Sequence, residues 1–192
     1  MHTNVYTRVV GELSVHTDAQ ATFPGNELPD HIWDVRRLIE QTNARSVLDY
    51  GAGKGVQYRL PIQVDGVDYP SICHFWGGVT IACYEPALNG RKSLPAESFD
   101  GVVCTDVLEH IPQQDIPWVI EEIFSHARRF VFASIACYPA MARLPNGENA
   151  HVTIRSPEWW KGVFETIAAR YPSVRCLLKF DEVATDAKAQ SH

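Results

Sequence analysis

The sequence predicts an α/β protein: a doubly wound, mostly parallel sheet with helices on both faces, reduced between its second and third strands. Three observations carry this. Apolar runs of five to seven residues recur at 46–50, 79–84, 101–105, 130–136 and 174–180, the length and composition of strands buried on both faces. Segments with apolar residues at helical spacing lie before, between and after them. The first three runs each end on or beside an acid, Asp49, Glu85 and Asp106. In a parallel sheet such ends gather along one edge, where ligands bind.

Bulk properties set the frame. A chain of 192 residues accommodates one domain with a sizeable core. Its 45% apolar and 21% charged residues are ordinary for a globular protein. A net charge of −6, with 17 Lys and Arg against 23 acids, argues against a nucleic-acid partner, because phosphate contacts need a basic surface. No apolar stretch reaches the roughly 18 residues of a membrane span, and the start Met1-His-Thr-Asn lacks a leader's basic and apolar regions, so no membrane partner and a cytoplasmic location are expected. Cys73, Cys83, Cys104, Cys137 and Cys176 are odd in number and mostly embedded in apolar runs, as buried thiols in a reducing compartment are. No Cys-x-x-Cys pair exists, and Cys73, His74 and Cys83 read as packing, so no metal ligands are assigned.

Along the chain, residues 1–29 carry no strong period and end in Phe-Pro-Gly-Asn-Glu-Leu-Pro, an irregular arm. The domain proper is expected over 30–185. Asp30 is a good N-cap for an amphipathic helix burying Ile32, Val35, Leu38 and Ile39 and ending near Asn43. It leads into the first strand, Ser46 to Tyr50. Val56 to Leu60 can begin only a short helix before Pro61, and Asp65 and Asp68 decorate a loop. Asp115 with Pro117 opens a second helix with Ile116, Val119, Ile120, Ile123, Phe124 and Ala127 on one face and Arg128 and Arg129 at its C-terminal end. Ser156 and Pro157 form an N-cap and first-turn pair for a third helix through about Arg170, burying Trp160, Val163, Phe164 and Ile167. Of the neighbouring tryptophans 159 and 160, one is expected in the core and the other at a pocket wall or the surface. The tail 186–192 should fray.

The decapeptide Ser46-Val-Leu-Asp-Tyr-Gly-Ala-Gly-Lys-Gly55 is the most informative stretch. An apolar strand runs into three glycines at every second position, a turn whose missing side chains let a ligand approach the backbone. The spacing differs from the dinucleotide-binding fingerprint, whose third glycine lies three positions after the second. The segment resembles motif I of the class I S-adenosylmethionine-dependent methyltransferases. Glu85-Pro86 at the end of the second run is similar to motif II, and Cys104-Thr-Asp-Val-Leu-Glu-His110 to motif IV, commonly a strand followed by an acid and Leu-Glu-His. The resemblance covers residues 46–136 well and implies a Rossmann-like fold in a compact variant, with S-adenosylmethionine as cofactor and S-adenosylhomocysteine as product. It implies that Asp49, Tyr50, Gly51, Gly53 and Gly55 hold the methionine end, that Glu85 accepts from both ribose hydroxyls, and that Pro86, Asp106 and Val107 line the same cleft. Only thirteen residues separate Glu85 from Phe99, too few for the family's next helix and strand. A loop around Pro86, Ala87 and Leu88 is expected to cradle the adenine instead.

Methyl transfer is an in-line displacement that depends mainly on placement, with a general base needed for a neutral hydroxyl or an ammonium acceptor. His151 in the loop before the last helix is the first candidate for a base or acceptor contact, followed by His110 and Asp106. Their structural alternatives are that His110 packs within Leu-Glu-His-Ile-Pro, that His151 fixes its loop beside Asn149 and Arg155, and that Glu109 starts a helix. The chain has no Asn-Pro-Pro-Tyr or Asp-Pro-Pro-Tyr segment of the amino-group methyltransferases of nucleic acids, which favours a small-molecule or sugar acceptor. A monomer or homodimer is expected. A cofactor-fold binding or scaffold module without turnover is the alternative, motivated by the shortened adenine region.

Overall fold

A computed structural model describes residues 5–10, 13–18, 28–88 and 93–182. Within the segment expected to be an irregular arm, β1 (Val5–Val10) and β2 (Leu13–Asp18) pair as an antiparallel hairpin. Valines, Tyr6 and threonines on both sides of Gly11 favour extended backbone more than the missing period suggests. The tail 186–192 lies outside the described residues.

A short 3-10 turn, Leu28–His31, precedes α1 (Ile32–Thr42), so Asp30 falls in that turn and the helix starts one residue later than its N-cap signal implied. Asn43 ends α1 in the left-handed conformation that asparagine tolerates, and β3 (Ser46–Tyr50) follows at once. The short helix expected after the glycines is one 3-10 turn, Val56–Tyr58. The expected loop at 65–68 is instead a hairpin of β4 (Ile62–Val64) and β5 (Val67–Tyr69) around Asp65 (φ 50°) and Gly66 (φ 77°). Asp-Gly at two positive-φ positions is the favoured turn for such a hairpin. Then come α2 (Ile72–Phe75), β6 (Thr80–Tyr84) and β7 (Phe99–Thr105). No strand lies between β6 and β7 among the described residues, the reduction foreseen from the chain length.

Helix α3 (Ile116–His126) stops before Arg128 and Arg129, which belong to β8 (Ala127–Ala136). Asp100 accounts for the difference. Its carboxylate takes the Arg45 amide at 2.7 Å and ion pairs with both arginines at 3.3 Å, drawing them to the start of the strand. Ser156 caps α4 (Pro157–Ala168), and β9 (Arg175–Asp181) closes the sheet.

The main sheet has five parallel strands in the order β6-β3-β7-β8-β9. The chain steps outward from β3 to β6 and then returns to the other side of β3 as β7. The carboxyl ends of β3 and β7 therefore form the switch point where crevices open in such sheets. Alternate strand residues divide the core. Leu48, Val102, Cys104, Val131, Ala133 and Ile135 pack under α3 and α4, and Val47, Val103, Phe130 and Phe132 pack under α1 and α2. Trp160 lies in the first of these layers, fully buried, with Trp159 at its margin.

Gly101 lets Phe130 lie across β7, since a Cβ there would come within 2.1 Å of its ring. Gly101→Ala should destabilise the fold by about 1–3 kcal/mol through overpacking. Gly162 in α4 has open space around its Cβ direction, and Gly162→Ala should stabilise by about 0.5–1 kcal/mol from helix propensity. Urea denaturation of the two variants checks the opposite signs.

Candidate active site

The three glycines after β3 all have positive φ: 85° at Gly51, 51° at Gly53 and 56° at Gly55. This is the left-handed region that side chains disfavour. The turn is fixed to the neighbouring strand, because the amides of Gly51 and Ala52 both donate to the Tyr84 carbonyl, at 2.9 and 3.0 Å. On the other side Gly51 meets β7's exit. A Cβ on Gly51 would sit 2.3 Å from Val107 Cγ2, so the switch point closes tightly only around a bare backbone.

Asp49 lies beneath this turn, 2% exposed. Its carboxylate accepts from the Tyr58 hydroxyl at 2.8 Å and from the Gln57 amide at 3.3 Å. Burial, followed by the Asp49 charge, raises the Tyr58 phenol well above its ordinary value, so it stays protonated and donates. Gln57 Oε1 is buried and has no hydrogen-bond partner among the described residues. The 3-10 turn that carries both donors is thus a support for Asp49. Tyr50 turns the other way, with its ring against Tyr84 and its hydroxyl donating to Glu122 at 3.1 Å. Its phenol is committed to the core, leaving the main chain to face the turn.

Glu85 follows β6 directly. One carboxylate oxygen accepts the Gly53 amide at 3.1 Å and the other the Ala87 amide at 3.0 Å. A carboxylate offers about four lone-pair positions, so this bridge leaves capacity for further donors. Residues 86–87 form a turn, with Leu88 N donating to the Glu85 carbonyl at 3.2 Å.

Past β7, Asp106 takes a strained left-handed conformation, φ 51°, held by its amide on the Ser134 carbonyl and by the Ser134 hydroxyl on its carboxylate, both 3.1 Å. Three residues later Glu109 is 0% exposed, and one of its oxygens accepts the Ala136 amide at the end of β8, 2.9 Å away. Burial, then the nearby Asp106, push its carboxyl well above the usual range. The imidazoles of His110 and His151 stack edge to face with centroids 4.8 Å apart. His110 Nδ1 lies 2.9 Å from the Ala150 carbonyl and His151 Nδ1 lies 2.6 Å from the Tyr138 carbonyl. A carbonyl only accepts, so each ring carries its proton on Nδ1 and a lone pair on Nε2. Removal from water lowers both imidazoles below their ordinary pKa, keeping them neutral. Asn149 orders the loop by bonding the His151 amide and both polar backbone groups of Ala140.

A family model described as a methyltransferase domain matches residues 28–171. The chain belongs to the class I S-adenosylmethionine-dependent methyltransferases. No curated protein matches it.

For this methyltransferase the structure brings the expected residues into two neighbouring groups along one sheet edge. Asp49, Gly51, Gly53, Gly55, Glu85, Pro86 and Val107 surround the switch point. Asp106 leads from there to His110 and His151. Glu109 falls in the first turn of a short 3-10 helix, Leu108–His110, in keeping with the helix start expected of it, but its burial was not foreseen, and Gln57 and Ser134 were overlooked. The Leu-Glu-His signal was present for Glu109, but its partner amide lies 27 residues away in sequence.

Gly51→Ala combines backbone strain with the Val107 clash and should cost about 1–3 kcal/mol. Adding Val107→Ala should recover only part of the loss, because the strain at φ 85° remains. A double-mutant cycle of unfolding free energies checks this non-additivity.

Proposed function

We propose that this methyltransferase moves a methyl group from S-adenosylmethionine to a small-molecule or glycan-type acceptor. The observation that carries the proposal is the Glu85–Gly53 hydrogen bond, 3.1 Å, which joins the expected ribose ligand and the expected methionine-binding turn in one cleft. The donor set fits such a cofactor. Asp49 and the orphaned Gln57 Oε1 put acceptor oxygens beside the glycine turn, as an ammonium end requires. The spare lone pairs of Glu85 suit a vicinal diol. The turn at Pro86, Ala87 and Leu88 borders the adenine. When bound, the cofactor supplies a methyl group activated by a sulfonium.

The chain's own contribution is placement and exclusion of water. The positive-φ glycines allow a ligand to lie against the backbone. Asp106 and Val107 carry the wall of the cleft toward His110 and His151, the corner assigned here to the acceptor. There the neutral imidazoles present lone pairs to a proton-bearing or electron-poor group. The acidic net charge of −6 supports an acceptor other than nucleic acid, and five cysteines of which none forms a disulfide suit a cytoplasmic setting.

Calorimetry tests the cofactor. S-adenosylmethionine and S-adenosylhomocysteine should each bind one to one with no signal from NAD, and Glu85→Ala should weaken binding by about 1.5–3 kcal/mol. Silence toward both adenosyl ligands would overturn the reading. A second experiment tests turnover: transfer of labelled methyl across a panel of metabolites and sugars should find an acceptor, and tight binding with no transfer to any of them would favour the binding module.

A further inference from the structure

We propose that Glu109, His110 and His151 form a binding site for one divalent transition-metal ion. A ring nitrogen of each histidine and a carboxylate oxygen of Glu109 all lie within 4.8 Å of one another, and no other such trio of His, Cys, Asp or Glu occurs among the described residues. Ligands about 2.1 Å from a shared ion stand roughly 3–3.5 Å apart, so small side-chain rotations close the trio.

Three further features point to a cation. Both Nδ1 atoms are engaged with backbone carbonyls, of Ala150 and Tyr138, which fixes the tautomer with Nε2 outward, the arrangement that orients metal-binding histidines. Glu109 Oε2 is fully buried and has no hydrogen-bond partner among the described residues, although Oε1 is anchored by Ala136 N. A buried oxygen left without a hydrogen bond is costly. Asp106 and Asp181 lie close enough to act on it, so the surroundings of the trio are acidic. The backbone of the trio is also braced: Thr153 N donates to the Glu109 carbonyl at 3.0 Å, and the Thr153 hydroxyl donates to the Ile111 carbonyl at 2.6 Å. Two imidazole nitrogens and one carboxylate oxygen suit Mn2+, Fe2+, Co2+ or Zn2+ better than Mg2+ or Ca2+, and leave coordination positions open.

The role of the ion, unlike its binding, rests on the methyl-transfer reading. A hydroxyl of the acceptor occupies an open position and becomes more acidic. Its proton leaves to solvent, the oxygen forms a bond to the sulfonium methyl, and the sulfur–methyl bond breaks with its electron pair returning to sulfur.

The test uses the full chain freed of metal with a chelator. Mn2+ is followed by electron paramagnetic resonance, Co2+ by visible absorption, and Zn2+ and Mg2+ by calorimetry. One equivalent of each transition ion should bind, tighter than Mg2+. His151→Asn, at a partly exposed position, should weaken binding at least about tenfold with an unchanged melting profile, and Glu109→Gln should do the same. The proposal is overturned by the absence of saturable one-to-one binding, by binding that His151→Asn leaves unchanged, or by equal affinity for Mg2+. S-adenosylhomocysteine titrated into the same metal-free protein separates the two readings. Cofactor binding without metal binding defeats this inference alone, and metal binding without cofactor binding upholds the site while defeating the methyl-transfer role.

Discussion

The close approach of Gly51 to Val107 is the constraint on which the cleft depends. Parallel strands β3 and β7 diverge in their connections at this point, one chain path going out to β6 and the other on to α3. The divergence would leave an open gap if the two exits were held apart by side chains. A bare backbone at φ 85° lets the glycine turn fold down onto Val107 while its amides reach across to Tyr84 on β6. With the turn fixed on both sides, Gly53 meets the Glu85 carboxylate and Asp49 lies covered beneath. Loss of the approach would release all three.

The rest of the sheet edge extends from the same place. β7 leaves Val107 against the turn and, within three residues, carries Glu109 under the end of β8. The positive φ of Asp106 makes the sharp change of direction at the end of β7, and Ser134 holds it from both main chain and side chain. The loop after β8 then brings His151 back over His110. The cleft at the glycine turn and the histidine corner are therefore two sides of one strand exit.

Much of this was legible in the chain. Buried parallel strands advertise themselves as apolar runs, and the three strand-end acids and alternating glycines are local signals that survive without tertiary context. Pro117 and Ser156-Pro157 marked helix starts for reasons internal to the helix. What escaped depended on distant partners or on weak local preference. Arg128 and Arg129 suit a helix terminus in isolation, and only Asp100, nearly thirty residues earlier, draws them into β8. Asp65-Gly66 did carry a hairpin signal, overlooked because strands of three residues offer too little alternation to register. Tyr50 sits beside the glycines in sequence, yet strand alternation sends its ring to the opposite face, onto Glu122. Glu109 does start a 3-10 turn, but its burial comes from β8 and from the loop carrying Thr153, neither of them local in sequence.

The central claim is that one cleft at the β3–β7 switch point holds the cofactor, with Glu85 at its ribose and the glycine turn at its methionine end. A crystal structure of the complex with S-adenosylhomocysteine tests it most directly. The account predicts the ribose hydroxyls within hydrogen-bond distance of the Glu85 carboxylate, and the amino group beside Asp49 and Gln57. Ligand density at any other edge of the sheet, or a ribose turned away from Glu85, would contradict it.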